Sequence, residues 1–303
     1  MRITGSMQNT QLLRNLRNNN TNIMDWQNKL STGQKIGKPS DDPVGIGFQM
    51  RYTTELSRNE QFMENANTGI GWLNQTDSVL QQANSVLQRL NVLVNQAANG
   101  AIPDDVRQQT ALEVAQLKEQ MIAIGNSTYD GRYLFNGQKT DIKPYSLTNA
   151  AFDTTDPGVY YLNVSSAVTV PVSITGEDVF GQAGQPGPPS VPGNNVFQMF
   201  DNILENLNNN DTSALSANLN DIETAIDRNS QNLAEVGART NRFELIKSRI
   251  DDEKLNLSTL KSQVADVDMA DAIIRLQLEQ NVLQASLSTG ARILQMSLAD
   301  YLR

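Results

Sequence analysis

Val264-ADVDMADAIIRLQLEQNVLQASLSTGARILQMSLADYL-Arg303 is the stretch that decides the fold. Within it Leu276, Leu283, Leu287, Ala291, Leu294, Leu298 and Tyr301 recur at steps of seven, four or three, which lines them along one side of a helix. A second set, Ile273, Leu278, Val282, Ile293, Met296 and Leu302, widens that stripe beyond a single seam. No proline interrupts the run, and Gly290 is its one intrinsically weak position, at about 1 kcal/mol relative to alanine. The spacing predicts a rod of roughly 60 Å, too apolar to stand alone. A partner sits at the other end of the chain, where Leu13, Leu16, Ile23 and Leu30 keep a three-and-seven spacing. The two ends predict a helical pair, and the chain reads as an assembly protein.

Composition narrows the rest. With 303 residues, 39% of them hydrophobic, there is room for two or three domains with a real core. The net charge of -9 and the lack of a basic stripe argue against nucleic acid as a partner. Cysteine and histidine are both absent, which removes disulfides, the usual zinc ligands and the common general base. Neither a cofactor nor a metal is expected. Met1 to Thr10 lacks an apolar signal core, and nowhere do about 18 apolar residues run together. These features predict a chain that inserts in no membrane, and that either stays in the cytoplasm or leaves by a route without a cleaved signal.

The first helix should end in Leu30-STGQKIGKPSDD-Pro43. Gly33, Gly37 and Pro39 are poor helix residues, Ser40 or Asp42 can cap a following helix, and Pro43 suits its first position. The segment, with Asp41 inside it, predicts a hinge. From Leu73 to Ala97 the periodicity is the cleanest in the chain: Leu73, Thr76, Leu80, Ala83, Leu87, Leu90, Val94 and Ala97, flanked by Trp72, Val79, Val86 and Leu93. That pattern predicts bundle core. After a turn at Asn99-Gly100, Pro103, Asp104 and Asp105 open a helix running to Ile124.

The character then changes. Tyr133-Leu134-Phe135 between turn pairs, and the alternation Val168, Val170, Val172, Ile174, predict strands, with Pro171 marking an edge or bulge. Pro186, Pro188, Pro189 and Pro192 exclude helix from the loop that follows. Helices resume with Val196, Phe200, Ile203 and Leu207, then Leu215, Leu219, Ile222 and Ile226. Val236, Phe243, Ile250, Leu257 and Val264 keep a strict seven, which implies coiled-coil-like packing. The expected fold is therefore mainly α, a long antiparallel helical bundle or coiled coil formed by the N- and C-terminal segments with a small β-rich domain inserted in the middle. The expected divisions are a terminal helical pair (1–40 with 266–303), a helical bundle (41–136 with 193–265) and a β-rich insertion (137–192).

Leu30-Ser31-Thr32-Gly33 with Pro39-Ser40-Asp41-Asp42-Pro43 resembles the N-terminal signature of bacterial flagellins and their junction relatives. Arg239, Asn241, Arg242 and Phe243, with Asp266-Val267-Asp268-Met269-Ala270, resemble the matching C-terminal signature. Within that superfamily three features resemble the type 3 hook-associated proteins of the hook–filament junction. They are Gly131-RYLFN-Gly137 running into Pro144-Tyr145, the ending Leu294-QMSLADY-Leu302, and the opening Met1-Arg2-Ile3-Thr4. The resemblance implies a structural role in the flagellum rather than an enzyme. It further implies export through the flagellar type III apparatus, and a flagellar export chaperone that holds the C-terminal helix beforehand. Partners would be other copies of the chain in a ring, a hook-associated junction protein below and flagellin above. The terminal helices would line the inner tube and the β insert would face outwards.

Other readings stay open at this point. The terminal stripes can be an intramolecular core, since most apolar helical stripes are. Ser40, Asp41 and Asp42 are explained by a cap and hinge, with no further ligand in view for a metal. Asp251-Asp252-Glu253, Asp266 and Asp268 read as solvated faces or polar contacts between subunits, and the Asn-rich spots as turns. Filament flagellin is the alternative function. A carboxylate enzyme on the outer segment has only Asp141, Asp153, Asp156, Glu177 and Asp178 to draw on, widely spaced.

Overall fold

The structure, a computed structural model, describes residues 5–99, 103–184 and 193–301, with the side chains of the last helix described as far as Arg292. Seven helices and four short strands follow in the order α1 (Gly5–Thr32), α2 (Pro43–Ala97), α3 (Asp104–Gly125), β1 (Thr128–Tyr129), β2 (Arg132–Tyr133), β3 (Tyr161–Ser165), β4 (Val168–Pro171), α4 (Gly176–Phe180), α5 (Val196–Asn208), α6 (Thr212–Ala265) and α7 (Met269–Tyr301). The mainly α architecture with a small β region is the one expected. Two compact units divide it, residues 1–58 with 252–303 and residues 59–251.

In the larger unit the core follows the three-and-four stripe of α2. Leu73, Thr76, Leu80, Ala83, Leu87, Leu90, Val94 and Ala97 are all buried, as are Trp72, Val79, Val86 and Leu93 beside them. Two adjacent stripes make a wide apolar face, which α3, α5 and α6 cover with Val114, Met121, Phe200, Ile203, Ile222, Val236 and Phe243. Helix ends are satisfied locally. Asn195 Oδ1 accepts from Gln198 N (2.7 Å) at the start of α5, and Asp211 Oδ1 accepts from Ser213 N and Ala214 N (3.1 and 3.0 Å) before α6. Buried Arg107 donates to the carbonyls of Ala97 and Asn99, two acceptors left over at the end of α2. Asn229 reaches from α6 to donate to Leu80 O (2.9 Å), a buried polar contact between helices.

The β region is smaller than its sequence pattern suggested. Asp130 and Gly131, both at positive φ (50° and 74°), turn β1 into β2. Strand β4 pairs antiparallel with β3 through an irregularity at Asn163/Ser165 and stops at Pro171, which has no N–H to extend the ladder. Beyond it Val172, Ser173, Ile174 and Thr175 are all buried, so the alternation ends. Phe180 of α4 lies edge-on to Phe135 (5.4 Å between centroids) and to Tyr145 (5.4 Å), while Tyr145 meets Phe197 of α5 at 4.7 Å. Burial pushes the Tyr145 phenol far above its ordinary value. Trp72 touches Tyr129 and Tyr160 (both 5.9 Å). Polar ties add to the rings: Asn65 donates to Asn163 O, Asn232 to Asp178 O and Arg239 to Ser173 O (2.8, 2.9 and 2.8 Å).

These contacts change the expected divisions. Residues 137–184 share one hydrophobic core with the helices, because Tyr160 lies against Trp72 of α2, and Tyr145 and Phe180 lie against Phe197 of α5. The terminal unit comprises residues 1–58 with 252–303, wider than the expected 1–40 with 266–303, and so takes in the first turns of α2 and the last of α6. The prolines at 186, 188, 189 and 192 and Gly100 lie outside the described residues.

Two substitutions test this shared core. Leu87→Ala on α2 should destabilise the unit by about 2–5 kcal/mol, and Phe180→Ala in the β segment by about 3–5 kcal/mol. Both should shift one common transition in urea denaturation followed by circular dichroism and by tryptophan fluorescence at Trp72. Two separate transitions in the Phe180→Ala protein would mean the β segment folds independently.

Candidate functional site

The smaller unit holds the chain's two ends, and α1 lies antiparallel to α7. On α1 the residues turned inwards are Leu12, Leu16, Asn19, Ile23, Trp26 and Leu30, at alternating steps of four and three. On α7 they are Ala272, Leu276, Glu279, Leu283, Ser286 and Gly290, spaced the same way. This is a heptad seam, the minimal apolar stripe that two helices can share. Gly290 is buried because Leu12 sits on it: a Cβ there would stand 2.7 Å from Leu12 Cδ2. The glycine that looked like a weak point is the place where α1 approaches closely.

Polar contacts fix the alignment. Asn19 Nδ2 donates to Ser286 Oγ (3.5 Å) and Asn22 Nδ2 to Glu279 Oε1 (3.3 Å). Trp26 lies between two cations, with Lys29 Nζ 4.7 Å and Arg275 Cζ 5.5 Å from its ring. Asp25 and Asp271 hold those cations by i,i+4 ion pairs of 2.7 and 2.6 Å.

The linker read as a hinge is tied down at its first half. Gly33, at φ 69°, turns the chain out of α1, and its carbonyl accepts from Val267 N (3.0 Å). Lys35 N donates to Ala265 O (2.7 Å), and Gln34 bridges Asp266 antiparallel. The connection α1–α2 and the connection α6–α7 thus pair where they pass. Beyond Pro39, Asp41 Oδ2 accepts from Gly37 N and Lys38 N (3.2 and 2.9 Å), and the Lys38 N–H holds its carboxyl below the usual range. Asp42 Oδ1 caps α2 at Val44 N and Gly45 N (both 3.0 Å), with Pro43 in the first turn. Asp268 does the same for α7, at Ala270 N and Asp271 N (2.9 and 3.2 Å). Asp266 and Asp268, read from sequence as solvated or intersubunit residues, therefore serve the crossing itself.

Of the residues expected in the terminal pair, Leu16, Ile23, Leu30, Leu276 and Leu283 lie in the seam. Leu13 and Leu287 do not; each is one position off the seam and exposed. The side chains of Leu294 and Leu298, and Leu302 altogether, lie outside the described residues. Sequence reading missed Leu12, Asn19, Trp26, Ser286 and Gly290, although the uninterrupted four-three rhythm from Leu12 to Leu30 is there to be read. Outside the seam, Leu13 and Met24 on α1, Met269, Ile273, Ile274, Leu278, Val282 and Leu287 on α7, and Val44, Phe48 and Met50 on α2 remain exposed. Among the described residues no three acidic, histidine or cysteine side chains gather to hold a metal, and no helix is long and apolar enough to cross a membrane.

Family similarity takes in both helices of this pair and reaches well into the larger unit. The model of the bacterial flagellin N-terminal helical region matches residues 3–140, and that of the flagellin C-terminal helical region matches residues 219–302. The chain is 26% identical to flagellar hook-associated protein 3 of Salmonella typhimurium, with 98% of each chain covered. It is 25% identical to the flagellin of Bacillus subtilis over 94% of each. Among solved structures, the flagellar hook-associated protein-3 of Legionella pneumophila superposes with a TM-score of 0.62 at 16% identity, covering 71% of this chain and 98% of its own. FlgL of Xanthomonas campestris gives 0.61 at 17% identity, covering 70% and 99%. These two likenesses speak for the fold alone. With both terminal helical regions matched, and with relatives aligned almost from end to end, the chain belongs to the bacterial flagellin family.

Proposed function

We propose that this chain is a structural subunit of the bacterial flagellum that sits at the hook–filament junction, as a ring of identical copies. Below it would stand another hook-associated protein, and above it flagellin. The observation that carries this reading is the terminal pair. Its seam uses one stripe of α1 and α7, while Leu13, Met24, Ile273, Ile274, Leu278, Val282 and Leu287 remain in water. Exposed apolar side chains at this density call for neighbours. The similarity to flagellar hook-associated protein 3 over nearly the whole chain supplies the location. Before assembly the same surface invites aggregation, which supports an export chaperone on α7, and passage through the flagellar type III apparatus is the route such a chaperone would serve.

Filament flagellin is the second reading, because the Bacillus subtilis flagellin is about as similar as the hook-associated relatives. Mixing the purified chain with flagellin seeds separates the two. A junction subunit should fail to grow long filaments by itself, whereas a flagellin should extend them.

Deletion of the gene in its source bacterium should leave hooks without filaments and shed flagellin into the medium, seen by electron microscopy and immunoblotting. Unchanged swimming would remove the proposal.

The seam and the exposed face can be tested apart. Leu283→Ala should loosen α1 from α7 by about 1–3 kcal/mol, a half-buried leucine's share. Leu287→Ser should leave the pair intact yet reduce filament recovery when each variant is returned to the deletion strain. Protease trimming of the purified chain reports the first effect and swimming the second. If Leu287→Ser swims normally, that face is not an assembly surface.

A further inference from the structure

The methionines whose side chains are described are distributed unevenly between the two units. Met7, Met24, Met50 and Met269 all belong to the terminal unit and are 48–67% exposed. Within residues 59–251, Met121 and Met199 are buried, at 1% and 6%, and Met63 is half-buried against the core. So α1, α2 and α7 each carry a solvent-facing thioether in the terminal unit. Their neighbours are apolar too. Met24 lies about three turns from Leu13, on the same side of α1, and Met269 lies one turn from exposed Ile273.

A thioether in water is open to oxidation, and the product differs sharply from the reactant. Hydrogen peroxide transfers one oxygen to the sulfur: the O–O bond breaks, an S–O bond forms, sulfur gives up an electron pair, and the other oxygen leaves as water. The sulfoxide is polar and accepts hydrogen bonds, so it disfavours a surface that must be buried against an apolar neighbour. No cysteine is present to react first.

We propose that Met7, Met24, Met50 and Met269 form an oxidation site that governs assembly: sulfoxidation of the free chain blocks the apolar faces of the terminal unit. The proposal rests on the reading that those faces are covered by neighbours in the flagellum. It makes the free chain sensitive to peroxide and the assembled chain protected, since burial removes the sulfurs from solvent. The larger unit keeps its buried methionines reduced and stays folded throughout.

The test uses the purified full-length chain and the strain lacking its gene, to which the chain is added from outside before filaments are counted by electron microscopy. One portion is treated with hydrogen peroxide and freed of it, another is left untreated, and part of the oxidised portion is then reduced with methionine sulfoxide reductases A and B and dithiothreitol. Peptide mass spectrometry should find the four sulfoxides forming several-fold faster than those at Met121 and Met199. Filament number should fall roughly tenfold for the oxidised chain, with unchanged circular dichroism, and should recover once the sulfoxides are reduced. Equal filament numbers from oxidised and untreated chain would overturn the proposal, as would a repaired chain that stays inactive although mass spectrometry finds the four sulfoxides gone. Failure of the untreated chain to restore any filaments would instead strike the junction reading, and the proposal with it.

Discussion

The crossing of the two linkers is the constraint on which the terminal unit depends. Gly33 O with Val267 N, and Lys35 N with Ala265 O, join segments more than two hundred positions apart in sequence. Each bond taken singly contributes about 0.5–1.5 kcal/mol. Their importance is geometric, because they set where α1 and α7 leave their neighbours and hence which residues of the two helices meet. Asp42 and Asp268 then cap the helices on the far side of each crossing, so the backbone groups freed by the turns find partners. A free hinge would leave the N-terminal helix to wander. Here both termini are carried from one paired point.

The two units differ in how they treat apolar surface, and the difference follows from the number of layers. In residues 59–251 α3, α5, α6 and the β segment pack against α2, and both stripes from Leu73 to Ala97 are buried. In α1 and α7 each helix has one partner, and a single partner covers a single stripe. Of the described side chains of α7, Ile273, Ile274, Leu278, Val282 and Leu287 have nowhere to go within the pair. Composition alone would not distinguish the cases, since the helices are similarly rich in leucine. What separates them is whether the chain itself supplies a second neighbour.

Much of this was legible in the residues. Helical spacing located α2, α3, α5 and α6, and the Leu73–Ala97 stripe named the core of the larger unit residue by residue. Asp42 and Pro43 marked the start of α2 because an N-cap followed by proline has one common use. The seam was read less well. Leu13 stands three residues from Leu16 and Leu287 four from Leu283, steps that suit one helix face, while the positions that turn inwards beside them are Leu12 and Ser286, and only the rhythm of the whole helix distinguishes them. A polar residue such as Asn19 or Ser286 is invisible to a search for apolar stripes. The extent of the β segment was misjudged for a different reason. Aromatic side chains in a short segment indicate burial but not the surface that buries them, and Tyr145 and Phe180 lie on the helices' core.

The polar members of the seam settle a question that its leucines leave open. A heptad of leucine and isoleucine packs about equally well when slid by seven residues, so apolar spacing alone permits several alignments. Asn19 opposite Ser286, Asn22 opposite Glu279 and Trp26 beside Arg275 have partners in one alignment only. These contacts are half exposed, so each is worth little as stability. As a selection among alignments they are sufficient, because sliding by one heptad loses all three together. The alignment in turn decides which side of α7 faces outwards. A rotation of one residue, about 100°, would bring Leu287 inwards in place of Ser286 and would bury the surface proposed to meet a neighbouring subunit. On that proposal the polar residues of the seam belong to assembly as much as the exposed leucines do.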